Sequence, residues 1–230
     1  MKFESAIVHG KDWKILSSET HYRDAHLSVR TEEVQTPAGG KRRRWTVVHR
    51  KAAVVIAPMT AEGKLVLIRQ ERIPIRAAIW EVPAGQIDLA AEGDVVARGE
   101  VRVEDAMAPQ PESGVNAPGY NSALGYDTAA LRELREETGY VLSKGGEIVP
   151  LGYFFSSPGF TDEQGYFFLA RPVELGTNGP AHAESESILD CRAFGPEEIA
   201  DMIAHGEIRD ANTLAICAKL VARGFISLHA

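Results

Sequence analysis

Cysteine is scarce in this chain: Cys191 and Cys217 are the only two in 230 residues. Their spacing offers neither a zinc framework nor a disulfide scaffold, and they read as free thiols of a reducing compartment. Long apolar runs are missing too. The longest, Ala52 to Met59, is far too short to span a membrane, and Met1 to Leu16 lacks the apolar core of a secretion signal. Positive charge is outweighed, 25 Lys and Arg against 32 Asp and Glu, for a net charge of −7. That balance argues against a general nucleic-acid binder or a binder of acidic membranes. No glycine cluster has dinucleotide-binding or P-loop spacing, and no internal repeat is present. What remains is a cytoplasmic globular protein, long enough for one large domain with a small appendage.

The first fifty residues read as a small β-rich subdomain. His26 to Val34 and Arg43 to His49 alternate in strand fashion around a turn at Thr36-Pro37-Ala38-Gly39-Gly40. The basic run Lys41 to Arg44 is expected to be a solvated hairpin face. Trp13 and Trp45 can stack on a base or fill a core, and core filling is the simpler expectation from the residues alone. From residue 51 to 230 a larger domain is expected. Two apolar strands, Ala52 to Pro58 and Lys64 to Arg69, flank a Thr60-to-Gly63 turn. A third strand runs from Ile79 into Pro83-Ala84-Gly85. From Asp88 to Tyr126 the pattern weakens, with one short element over Val95 to Val103, and residues 88–126 read as an exposed insertion. Strands at Leu151 to Phe155, Tyr166 to Ala170 and Ile188 to Phe194 follow. Two helices close the chain, one opening at Pro196 and ending at Gly206, the other capped by Asp210 and stopped by Gly224. Strands interrupted by helices imply an α/β fold with a mixed sheet.

Between insertion and late strands lies Ala129 to Tyr140, a helix that Asp127 or Thr128 is expected to cap and Gly139 to end. Its periodicity assigns Leu131, Leu134, Thr138 and Val141 to one stripe and Glu133, Glu136 and Glu137 to another, facing away. Carboxylates at i, i+3 and i+4 repel one another. Arg132 can pair with Glu136 but cannot neutralise all three, whereas a hard divalent cation can. An ordinary solvated acidic face is the competing explanation.

The phrase Arg132-Glu133-Leu134-Arg135-Glu136-Glu137-Thr138-Gly139-Tyr140 resembles the core of the Nudix box, with Tyr140 where an aliphatic residue is usual. The box's first glycine resembles Gly85 in Trp80-Glu81-Val82-Pro83-Ala84-Gly85-Gln86-Ile87-Asp88. Arg69-Gln70-Glu71-Arg72, Ser157-Pro158-Gly159 and Gly206 to Asp210 are further phrases similar to the ADP-ribose pyrophosphatase-like branch. Two departures stand out. The box is split by the 88–126 insertion, and its first glutamate has no match, since Ala91 falls at the spacing and Glu92 one residue later.

The resemblance implies a Nudix-type α/β/α sandwich with a mixed sheet, and the N-terminal β-rich subdomain beside it. It implies Mg²⁺, or Mn²⁺ in its place, held by Glu133, Glu136, Glu137 and the backbone carbonyl of Ala84. It makes Arg132 the residue that steadies the helix, and Glu163 the general base of the loop after Ser157-Pro158-Gly159, with Asp162 as the alternative. Arg72 is similar to the branch's diphosphate- or ribose-contacting arginine. Trp13 and Trp45 then become adenine-stacking candidates from two subunits of a homodimer with exchanged N-terminal strands. The implied reaction is metal-dependent hydrolysis of ADP-ribose to AMP and ribose 5-phosphate. Another nucleoside-diphosphate sugar such as GDP-mannose, or a non-catalytic nucleotide-binding regulator, are the alternatives.

Overall fold

A computed structural model describes residues 13–37, 40–87, 125–181 and 187–228. The short element expected over Val95 to Val103, and Glu92 with it, lie outside the described residues. Two compact units emerge: residues 13–37, 40–50 and 157–162 form the first, and 51–87, 125–156, 163–181 and 187–228 the second. A boundary between residues 50 and 51 is retained as a proposed domain division, with 157–162 added to the first unit.

The first unit is an antiparallel sheet of β1 (Lys14–Arg23), β2 (Leu27–Gln35) and β3 (Arg42–Arg50), in the order β1-β2-β3. β1 has no counterpart in the sequence expectation. All ten of its residues are exposed, so it carries no burial alternation to betray a strand. Asp24 organises the β1–β2 turn by accepting the N–H groups of His26 and Leu27 at 2.7 and 2.8 Å. Arg42 and Arg44 are exposed and lie 3.8 Å from Glu33 and Glu19, the solvated face expected of the basic run.

The second unit is built on a mixed seven-stranded sheet. Its strands are β4 (Ala53–Thr60), β5 (Leu65–Arg72), β6 (Ala77–Glu81), β7 (Ala84–Gln86), β8 (Tyr140–Phe155), β9 (Gln164–Leu175) and β10 (Ile188–Phe194). The order is β10-β5-β4-β9-β8, with β6 on β5 and β7 on β4, and β4 runs parallel to β9. Along the central strands residues alternate between two faces. Val55, Ala57, Leu65, Leu67, Phe167 and Leu169 pack with Ile199 and Met202 of α2 (Pro196–Ala204) and Ile216 and Leu220 of α3 (Ala211–Ala222). On the other face, α1 (Tyr126–Glu133) lies over β4 and β9. The unit is therefore the α/β/α sandwich implied by the sequence.

The start of α1 differs from expectation. Its N-cap is Gly125, at φ 71°, and no side chain caps it; Asp127 sits inside the first turn. Tyr126 is 3% exposed with its ring 4.4 Å from Tyr166, and burial of that ring places Tyr126 inside the helix rather than before it. After Glu133 the helix widens into a π-turn, Leu134–Thr138, closed by Gly139 at φ 73°.

The 82–85 segment is pinned from several sides. Val82 N–H donates to Thr213 Oγ1 at 3.0 Å, and Thr213 Oγ1 donates in turn to Asp210 Oδ2 at 2.8 Å. Asp210 also caps α3 through Thr213 N–H, and Ile56 N–H donates to Pro83 O at 2.9 Å. Thr213 is fully buried. Thr213→Val keeps its volume but strands the Val82 donor, and should lower stability by about 1–3 kcal/mol in urea unfolding.

Candidate active site

In the second unit, Glu133 and Glu137 do not face away from the core as periodicity suggested. They are 6% and 2% exposed and share the buried face of Tyr126, Ala129, Ala130 and Leu134. Glu136 alone among the three is partly open, its side chain 29% exposed. A solvated acidic face is thereby excluded. Burying carboxylates is costly unless each finds a partner. Glu137 Oε2 accepts the Ala84 N–H at 2.9 Å, which ties the π-turn to β7. Arg132 reaches two acids, Glu133 at 2.7 Å and Glu136 at 2.9 Å, where only Glu136 was expected.

Gly85 explains how the helix approaches so closely. A Cβ there would lie 2.1 Å from Glu133 Cδ, so only a residue without a side chain leaves room for that carboxylate. Among the described residues no three His, Cys, Asp or Glu side chains converge in metal-holding geometry. The donor set nevertheless fits a hard divalent cation. Two buried carboxylates and one half-open one meet a turn whose glycine makes space for them, and oxygen is the donor Mg²⁺ prefers.

Arg72 and Glu81 form a pair that the sequence reading missed. Arg72 Nε and Nη2 donate to Glu81 Oε1 and Oε2, both at 2.8 Å. The Glu81 side chain is 3% exposed and that of Arg72 41%, so this is no ordinary surface ion pair. Burial pushes the Glu81 carboxyl above its usual range, against the pull of Arg72. Burial likewise opposes the Arg72 charge, but Glu81, with Glu137 and Asp210 beyond it, holds the guanidinium above its ordinary value. The signal for Glu81 was present, since a lone acid between Trp80 and Val82 in an apolar strand has to find a partner.

Glu163 belongs to the second unit, where Ser156 Oγ donates to its Oε2 at 2.7 Å. Both free thiols are poor nucleophiles near neutrality: burial pushes Cys191 and Cys217 each up to about 11.

The first unit holds the remaining candidates. Trp13 and Trp45 are 50% and 58% exposed, which overturns core filling. Trp45 Nε1 donates to Gly159 O at 2.9 Å, and Val48 N–H to Phe160 O at 2.8 Å, so the Ser157–Asp162 loop docks on β3. Asp162 is already occupied: its Oδ2 lies 2.7 Å from His49 Nδ1 and its Oδ1 accepts the Arg50 N–H.

A buried acidic helix turned into a Pro-Ala-Gly segment on the edge of a mixed sheet defines a Nudix-type hydrolase fold. Residues 122–215 match the NUDIX domain family. Within it, the chain resembles the ADP-ribose pyrophosphatase-like branch. It is 26% identical over 200 residues to the ADP-ribose pyrophosphatase of Bacillus subtilis (strain 168), covering 87% of this chain and 88% of that one. With the ADP-ribose pyrophosphatase of Mycobacterium tuberculosis (strain ATCC 25618 / H37Rv) it shares 28% over 220 residues, 95% and 84% of the two chains. It is also 25% identical over 201 residues to the methanol dehydrogenase activator of Bacillus methanolicus, 87% and 88%. A solved ADP compounds hydrolase superposes with a TM-score of 0.63 at 18% identity, over 93% of this chain and 97% of that one.

Proposed function

We propose that the protein hydrolyses the diphosphate bond of ADP-ribose, giving AMP and ribose 5-phosphate. The observation that carries this reading is the burial of Glu133 and Glu137 against Ala84 and Gly85, an arrangement that costs stability and that a bound cation would help to offset. Glu133, Glu136, Glu137 and the Ala84 carbonyl would hold a divalent cation, Mg²⁺ or Mn²⁺, which when bound neutralises the diphosphate and acidifies water. Water attacks one phosphorus, the bridging P–O bond breaks, and the water's proton has to be taken up by a nearby base. Glu163 is that base in our reading. It is supported by the occupation of the neighbouring Asp162 by His49 and Arg50. Ser156 orients the Glu163 carboxylate through Oε2.

Arg72 supplies positive charge to the phosphates, and the exposed indoles of Trp13 and Trp45 supply flat apolar faces for a base. The protein acts as a homodimer with exchanged N-terminal strands in this reading, which the exposure of β1 from end to end supports. No described helix is long and apolar enough to cross a membrane.

Phosphate release from a panel of nucleoside-diphosphate sugars, with Mg²⁺ and a coupled phosphatase, tests the reading. ADP-ribose should be turned over fastest, and preference for GDP-mannose would move the assignment to that sugar. A second reading is a non-catalytic nucleotide-binding regulator, and the Bacillus methanolicus relative, named an activator, favours a regulatory role. Tight ADP-ribose binding without turnover of any panel member would favour it over the enzyme. For the base, Glu163→Gln should lower kcat by about a hundredfold while ADP-ribose binding changes little. An equal loss from Asp162→Asn, with Glu163→Gln active, would transfer the role.

A further inference from the structure

Arg72 has a feature that neither the fold nor the carboxylate cluster requires. A guanidinium carries five N–H groups in a planar fork. Glu81 takes the side edge, using Nε–H and one N–H of Nη2. The two N–H groups of Nη1 and the second of Nη2 lie on edges that this contact leaves untouched. The pair is also lopsided, with the Glu81 side chain 3% exposed and the Arg72 side chain 41% exposed. Its closed side is therefore the carboxylate and its open side the arginine.

Strand alternation sets Arg72 with Val66, Ile68 and Gln70, on the face opposite Leu65 and Leu67 and toward α1. Glu137 is close enough to contribute to the Arg72 potential. A free arginine side chain loses considerable rotamer freedom when a ligand fixes it. One already fixed by a buried bidentate partner has lost that freedom on folding, so a later anion binds without incurring the cost again. An arginine held at one edge is thus a preorganised donor at its end.

We propose that Glu81 is the positioning residue of an oxyanion subsite, holding the Arg72 fork so that its free edge receives a phosphate oxygen of a nucleoside diphosphate. This rests on the proposed hydrolysis for its substrate, but its test does not need turnover. Binding of ADP is measured by calorimetry, in the presence of a chelator so that no cation contributes, for wild type, Glu81→Gln, Arg72→Ala and the double variant. Glutamine matches glutamate in shape but offers one acceptor in place of two, so the fork contact is broken. Glu81→Gln should weaken ADP about tenfold, and should weaken it no further in the Arg72→Ala background. In the hydrolysis assay the same variant should raise KM about tenfold with kcat little changed.

A merely structural pair predicts a lowered melting temperature with ADP affinity preserved, and that result overturns the proposal. So does an equal loss from Glu81→Gln with and without Arg72. Should Glu81→Gln fail to fold, Arg72→Lys decides instead, because lysine still offers Glu81 a charge but has no second edge. About tenfold weaker ADP binding by a stable Arg72→Lys protein supports the subsite, and unchanged binding removes it. Absence of turnover in the wild type would overturn the proposed hydrolysis alone, since the ADP titration reads the subsite separately.

Discussion

Glu137→Gln should cut kcat by about a thousandfold and leave the fold standing. The carboxylate is 2% exposed and accepts the Ala84 N–H through Oε2. A glutamine carbonyl oxygen can accept the same N–H in nearly the same volume, so the tie between the π-turn and β7 survives. What disappears is a buried negative charge, which the folded state has to desolvate and a cation would need. Stability should therefore hold or rise slightly, as read from the urea midpoint, while turnover collapses. In energetic terms a thousandfold loss is about 4 kcal/mol of transition-state stabilisation. Near-normal turnover in a correctly folded Glu137→Gln protein would remove this residue from the proposed chemistry.

The second large effect is expected from a single methyl group. In Gly85→Ala the new Cβ would stand 2.1 Å from Glu133 Cδ, 2.2 Å from Oε1 and 2.5 Å from Oε2. All three are the far end of a flexible side chain, and Gly85 is not among the residues at positive φ. The backbone can accept alanine; the carboxylate has to turn aside. We expect turnover to fall about a hundredfold, with stability lowered by less than about 1 kcal/mol. Gly165 provides the contrast. There a Cβ would meet the Phe154 ring at 2.0 Å, and that ring is stacked on Phe167 at 4.4 Å. An aromatic ring wedged in the core has no free end to move, so Gly165→Ala should lower stability by about 1–3 kcal/mol. If Gly85→Ala behaved like Gly165→Ala, losing stability and little turnover, Glu133 would be a packing residue only.

The two terminal helices and β10 were legible because the chain punctuates them with residues of fixed backbone habit. Pro196 opens α2, Asp210 caps α3, and Gly206 and Gly224 follow the two helices at positive φ. The start of α1 was misread because Asp127 and Thr128 have the right side chains, while burial of Tyr126 decided the matter. Periodicity placed Glu133 and Glu137 on the wrong stripe for a related reason. A pattern of apolar residues treats every carboxylate as outward, and these two are inward, Glu137 bonded to Ala84 N–H and Glu133 packed against Gly85. Glu81 was half legible: an acid in an apolar strand calls for a partner, but nothing local points to Arg72 nine residues earlier. The widening of the helix at Leu134–Thr138 has no local signature at all. It reflects what α1 packs against, since hydrogen bonds from Ala84 and Ala181 meet this stretch from outside.

The parallel pairing of β4 with β9 carries a consequence for how the molecule is made. Ala53 lies opposite Gly165 and Thr60 opposite Val173, so this central seam joins two distant parts of the chain. Pairings of that sequence separation form late, because a long loop has to be closed before any hydrogen bond returns the cost. On a ribosome the seam cannot form until β9 has emerged, long after β4 and β5 have been exposed as an unfinished, apolar hairpin. α1 rests on both strands of that seam. The support on which the acidic helix rests is therefore complete only after β9 has been made.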